Sequence, residues 1–125
     1  MNVGEVLRET VRVERVNLVM YAGASGDFNP IHWNEYVAKA VGLPDVIAHG
    51  MFTQAQLGRL LGDPGHILTF SVRFSAPVPV PAVGATELHL AAEVTDVTDG
   101  VATLVLSATC DGRDVIKDGR ATVQL

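Results

Sequence analysis

Asp27 and His32 stand five residues apart in the stretch Asp27-Phe28-Asn29-Pro30-Ile31-His32. A carboxyl and an imidazole can divide the two proton transfers needed to remove water from a 3-hydroxy carbonyl compound. One takes the C2 proton and the other protonates the departing C3 hydroxyl; in the reverse direction the same pair orients and activates water. Their ordinary pKa values, about 3.9 and about 6.5, bracket the useful range, and burial raises the carboxyl. Each well-placed transfer is worth roughly 10²–10⁴-fold in rate. Pro30 fixes its own φ and turns Asn29 away from helix, so a short loop can hold both groups in one geometry.

The same chemistry needs stabilisation of negative charge on the carbonyl oxygen. Ala48-His49-Gly50-Met51 supplies a candidate, with Gly50 lying 18 residues after His32. Gly50 has no side chain to keep a carbonyl from its N–H, and a helix beginning there adds positive potential. The Gly50 amide is therefore the candidate oxyanion donor. His49 reads as a helix-start residue that packs against and orders the site, not as a proton carrier. Ser25, next to Gly26-Asp27, lacks a G-x-S-x-G setting and reads as a loop hydrogen-bonding residue.

Other reactive residue types fit plainer roles. An Asp and a His at this spacing are, taken alone, more often coincidence than catalysis. His66 follows a turn and His89 falls on the polar face of a strand, so both are expected at the surface. Four histidines without an H-E-x-x-H or similar pattern give no expectation of a metal. Cys110, in phase with Leu104 and Leu106, is expected to be a buried structural thiol. Tyr21, Phe28 and Trp33 are candidates for the core or for a tunnel wall.

The elements that must position these groups change character near residue 65. Alternation at Val11 and Val13 against Arg12 and Glu14 predicts a strand over 10–15. Asn17 can cap a short helix over 18–24, and Asn34 a second over 35–41 stopped by Gly42 and Pro44. A third helix is predicted from Gly50 or Met51 to about Leu61. Its apolar residues, with Arg59 as sole charge, predict that it is largely buried. Strands follow over 66–74, with Leu68, Phe70, Val72 and Phe74 on one face, then over 86–94, 101–110 and 115–125. Asp99-Gly100 favours a tight hairpin, Asp118-Gly119 a bulge, and the prolines of 76–81 an irregular crossing. The fold class is α+β: an antiparallel sheet curled around a central apolar helix.

Composition narrows the function classes. A length of 125 residues suits one domain, and 48% hydrophobic against 18% charged residues excludes a disordered chain. A net charge of −5 with scattered Lys and Arg argues against a nucleic-acid partner. One cysteine precludes an internal disulfide, and no apolar run reaches the roughly 18 residues of a membrane span. The start MNVGEVLRET has no apolar stretch of a signal peptide, and a cytoplasmic protein is the expectation.

Asp27-Phe28-Asn29-Pro30-Ile31-His32 followed by Ala48-His49-Gly50-Met51 resembles the MaoC-like, (R)-specific hydratase/dehydratase family. The likeness runs through nearly the whole chain and is strongest to the catalytic B subunit of mycobacterial-type (3R)-hydroxyacyl-ACP dehydratases. HWNEYVAKAVGL, IAHGM, GDPG and VRFSAPVPVP support it. The resemblance implies a single hot dog domain over 1–125. It also implies reversible hydration of trans-2-enoyl thioesters of CoA or acyl carrier protein. Asp27 and His32 would be catalytic, Gly50 the oxyanion donor, and Asn29 an ordering residue for loop or water. It implies no cofactor, and a homodimer or a heterodimer with another hot dog subunit. Some relatives carry a Ser on the central helix where this chain has Gly58, which bears on substrate preference.

Three rivals remain at this level. A hot dog acyl-thioesterase often carries a carboxylate on the central helix, and 50–61 contains none. A non-enzymatic partner subunit would not need the Asp–His pair. A specialised dehydratase of polyketide or other secondary metabolism would use the same pair on another substrate.

Overall fold

The computed structural model describes residues 1–125. Strand β1 (Val6–Val13) leads into helix α1 (Arg15–Ser25), a 3₁₀ turn at Pro30–His32 and helix α2 (Glu35–Ala40). Short strand β2 (Val46–Ile47) precedes helix α3 (Gly50–Leu60) and a second 3₁₀ turn at Pro64–His66. Strands β3 (Ile67–Phe74), β4 (Pro79–Val80), β5 (Thr86–Thr98), β6 (Val101–Cys110) and β7 (Arg113–Gln124) complete the chain. Five of them form an antiparallel sheet in the order β1-β5-β6-β7-β3, while β2 and β4 pair separately.

The sheet exists because its strands alternate. Leu88, Leu90, Ala92 and Val94 of β5 and Ala102, Leu104, Leu106, Ala108 and Cys110 of β6 all point into one core, as the alternation predicts. Helix α3 lies against β1, β5 and β6 and sends Phe52 and Leu57 into that core. Burying a leucine such as Leu57 or Leu104 fully stabilises by about 1.5–3 kcal/mol. Asp99 and Gly100 both have positive φ, the conformation of the two-residue hairpin turn expected there. The bulge expected at Asp118-Gly119 is present: Leu106 faces Gly119 but Ala108 faces Ile116. A Cβ on Gly119 would lie 2.6 Å from the Leu106 carbonyl oxygen, so the bulge demands glycine.

Several expectations need correction. The first strand is Val6–Val13, not 10–15; Glu9 sits on its inward side, bonded to Arg59 of α3, and breaks the apolar alternation. The first helix starts at Arg15, and Asn17 does not precede it: Asn17 Oδ1 accepts the Glu14 N–H from inside the first turn. Strand β3 carries a register shift between Ile67 and Thr69, so Ile67, Phe70 and Val72 pack inward while Leu68 is exposed. Helix α3 is buried on one side only, with Met51, Ala55 and Arg59 exposed. The proline crossing holds one regular piece, β4. Asn34 caps α2 as expected, accepting the Val37 N–H, and α3 begins at Gly50. No helix is long and apolar enough to cross a membrane.

Candidate active site

The loop from Gly26 to His32 is built by local hydrogen bonds from short polar side chains. Gly26 ends α1 with φ of 77°, a left-handed conformation that suits glycine. Ser25 Oγ then accepts the Asp27 N–H at 3.1 Å, Asp27 Oδ1 accepts the Asn29 N–H at 3.1 Å, and Asn29 Oδ1 accepts the Ile31 N–H at 3.3 Å. Asn29 so caps the turn at Pro30–His32. With Oδ1 engaged by its own loop, Asp27 presents Oδ2 to His32 Nε2, 3.9 Å away.

His32 is buried, and its Nδ1 lies 2.6 Å from the carbonyl oxygen of Ile47 in β2. A carbonyl only accepts, so Nδ1 carries the hydrogen and donates it. In the neutral ring the lone pair is then on Nε2, facing the carboxylate. A gap of 3.9 Å is too long for a direct hydrogen bond and suits a hydroxyl or water touching both groups. Asp27 is half exposed, so the pair is reached from outside.

His49 occupies the N-cap of α3 and is 2% exposed. Its Nε2 donates to the Asp27 carbonyl oxygen at 3.1 Å. Its ring stacks on His32, with centroids 3.7 Å apart and planes 19° from parallel, and Tyr21 meets its edge at 4.7 Å. Burial holds the His49 pKa below its ordinary value, opposed by the Asp27 carbonyl bond; the neighbouring His32 pushes it down further. Asp27, His32 and His49 bring ligand-capable atoms within 4.8 Å of one another. Two nearly parallel imidazoles, however, aim their in-plane lone pairs along separate planes, which fits a shared metal poorly.

Gly50 is the first residue of α3, so its N–H has no acceptor one turn back. The ring of Phe74 covers it: a Cβ at Gly50 would lie 3.1 Å from that ring. Gly50 and Phe74 line a cleft of about 400 Å³ with Ile47, Thr53, Pro77 and Val115. Asp27 and His32 do not line this cleft; His32 contacts one of its lining residues, Ile47, through the main-chain carbonyl. On the other side of the loop, Val19, Ala22, Phe28 and Trp33 enclose an apolar recess of about 270 Å³. The largest hollow, about 580 Å³, lies away from these residues among polar groups such as Arg12, Asp45, His89 and Asp111. An acyl chain would gain nothing by entering it.

The structure thus gathers Ser25, Asp27, Asn29, His32, His49 and Gly50 into one region. His66 and His89 are exposed, and Cys110 is buried with Thr86 Oγ1 3.2 Å from its sulfur. Phe28 and Trp33 are not core: both are exposed, and the Trp33 ring N–H bonds the Phe28 carbonyl. Gly58 lies under β3, where a Cβ would stand 3.2 Å from the Phe70 ring. Sequence reasoning missed the Ile47 carbonyl and the Phe74 ring. No residue type announces the former, and Phe74 sits in a strand whose phase the register shift obscures.

The sequence profile of the MaoC-like domain matches residues 3–110. The 3-hydroxyacyl-thioester dehydratase X of Mycobacterium tuberculosis is 44% identical over 73 residues, covering 58% of this chain and 26% of that protein. The (R)-specific enoyl-CoA hydratase of Rhodospirillum rubrum is 33% identical over 120 residues, 90% of this chain and 80% of that one. A solved MaoC-like dehydratase superposes with a TM-score of 0.94 at 35% identity, covering 100% of this chain and 41% of that chain. The chain therefore spans about a quarter of the mycobacterial relative and two fifths of the solved one.

Proposed function

Because this chain belongs to the MaoC-like domain family and has the hot dog fold, we propose that it is a hydro-lyase that interconverts (3R)-hydroxyacyl and trans-2-enoyl thioesters. The observation that carries the reading is the 3.9 Å approach of Asp27 Oδ2 to the lone-pair nitrogen of His32. For dehydration one of the two groups enters protonated and gives that proton to the departing hydroxyl, while the other takes the C2 proton, so the pair still holds one proton at the end. In the hydration direction one group takes a proton from the water held between them and the other delivers its proton to C2. The thioester oxygen, negative as the C2 proton departs, would meet the Gly50 amide at the positive end of α3. Ser25 and Asn29 order the loop that carries the carboxylate. The substrate thiol carrier is a pantetheine of CoA or acyl carrier protein, and the reaction asks for no cofactor.

A second hot dog subunit, identical or not, fits this reading. Strands β1 and β3 leave both sheet edges unpaired, and the exposed Phe28 and Trp33 flank the loop. A partner that covered Phe28 and Trp33 would enclose the half-exposed Asp27. A cytoplasmic setting agrees with a single buried thiol and no internal disulfide.

The test replaces Asp27 by Asn and His32 by Ala. Each variant should keep its far-UV circular dichroism and lose about 10²–10⁴-fold in turnover of a crotonyl or longer enoyl thioester. Two folded variants with full activity would refute the mechanism. Free thiol release measured beside loss of enoyl absorbance separates a thioesterase. For that rival, α3 offers no carboxylate.

A further inference from the structure

We infer that His49 is a positioning residue: its ring tethers the Asp27 main chain through Nε2–H and braces the flat face of His32, without itself moving a proton. The inference rests on the reading of Asp27 and His32 as the acid–base pair and adds how their spacing is kept. The carbonyl oxygen of Asp27 can only accept, so the hydrogen of a neutral His49 is on Nε2. The lone pair is then on Nδ1, which is buried and has no hydrogen-bond partner. A second proton placed on Nδ1 would find no acceptor. It would also put a cation against the stacked ring of His32. The titratable groups facing His49 are Tyr21 from α1, Asp27 from the loop and His32 from the 3₁₀ turn. A lowered pKa caused chiefly by burial agrees with a ring that stays neutral. A group that is neutral and enclosed, with its one hydrogen spent on a main-chain carbonyl, is poorly placed to shuttle protons.

Its place in the chain matters equally. His49 directly precedes Gly50. The side chain of one residue therefore sets the carboxylate loop, while the next amide is the proposed oxyanion donor. His32 is held at its ring edge by the carbonyl of Ile47, two residues before His49. Bond and stack together make the three reacting groups one body, so the 3.9 Å gap does not depend on a free loop.

The experiment uses the full chain and steady-state hydration of crotonyl thioester, with His49→Phe and His49→Gln each made alone and on Asp27→Asn. His49→Phe keeps a stacking ring but has no donor. It should lower kcat by up to about 10²-fold, as a small displacement of a reacting group does, with KM little changed. His49→Gln, whose amide can still reach the carbonyl, should retain more kcat than His49→Phe. On Asp27→Asn, His49→Phe should cost nothing further, because it acts through that residue. Full kcat in folded His49→Phe while Asp27→Asn is dead, or losses that simply multiply, would overturn the positioning role and leave the acid–base pair standing. An active Asp27→Asn would instead overturn the functional reading. The ¹⁵N spectrum of the imidazoles in the unsubstituted protein gives an answer even if a variant fails to fold. The Nε2–H tautomer at neutral pH is expected; an Nδ1–H or doubly protonated His49 refutes the inference.

Discussion

The imidazole of His49 lies flat on that of His32, 3.7 Å between centroids, with one ring hydrogen-bonded to the loop that precedes the turn and the other to the strand that follows it. Two rings so placed cannot both take a proton cheaply, and His49, whose buried Nδ1 has no acceptor beside it, is the worse host. The folded state therefore disfavours protonated His49, whereas the unfolded chain does not.

That asymmetry predicts a pH dependence of stability. The His49 pKa is lowered on folding, first by burial and further by His32. Below about pH 6.5 the unfolded chain binds a proton at this residue and the folded chain does not. Stability should thus fall as the solution is acidified from about 6.5 toward the lowered folded value, by at most about 1.4 kcal/mol per pH unit from this group. Urea unfolding across that range measures the slope, and His49→Gln should flatten it. An unchanged slope in that variant would show that other groups set it.

Gly50→Ala should damage catalysis more than folding. The added methyl meets the Phe74 ring at 3.1 Å and also stands where a substrate carbonyl would approach. The half-exposed Phe74 can yield, so the melting temperature should change little while kcat/KM falls by up to about 10²-fold. Adding Phe74→Ala relieves the steric contact but leaves the methyl in place. Restored activity in that double variant would mean that Phe74, not the carbonyl approach, was the obstacle.

Gly119→Ala tests the sheet in isolation from the site. Its Cβ would come within 2.6 Å of the Leu106 carbonyl oxygen, a main-chain atom that cannot rotate aside. A loss of about 1–3 kcal/mol is expected from overpacking, read by urea unfolding. Kinetic constants measured well below the transition should be those of the parent chain. A neutral change in stability would mean that the bulge on β7 relaxes freely.

Much of this architecture was legible because it is local. Strands β5 and β6 alternate without interruption, Asn34 and Gly50 mark helix starts by their chemistry, and Asp99-Gly100 can take the positive φ its turn requires. The misreadings share a cause in long-range contacts. Glu9 faces inward because Arg59, fifty positions later, meets it. Leu68 faces outward because β3 slips against β7. In the site, Asp27, His32 and Gly50 were candidates by type, but spacing alone left the pair closer to coincidence; the resemblance singled them out and added Asn29. The stack of His32 on His49 was not, since nothing in two residues 17 apart in sequence says that their rings meet. The ion-pair cluster joining Arg15 to Glu35 and Asp45 escaped notice for the same reason.

The bond from His32 to Ile47 and the bond from His49 to Asp27 cross-link the two ends of the intervening chain like a double clasp. Residues 33–46 lie between these fastenings, held as well by buried Ala38 and Val46 and by Arg15 against Glu35 and Asp45, with Tyr36 and Val41 turned outward. Changes at those two outward positions alter the outer surface while the clasp beneath stays shut. Diversity of outer shape is thereby uncoupled from constancy of the chemistry underneath.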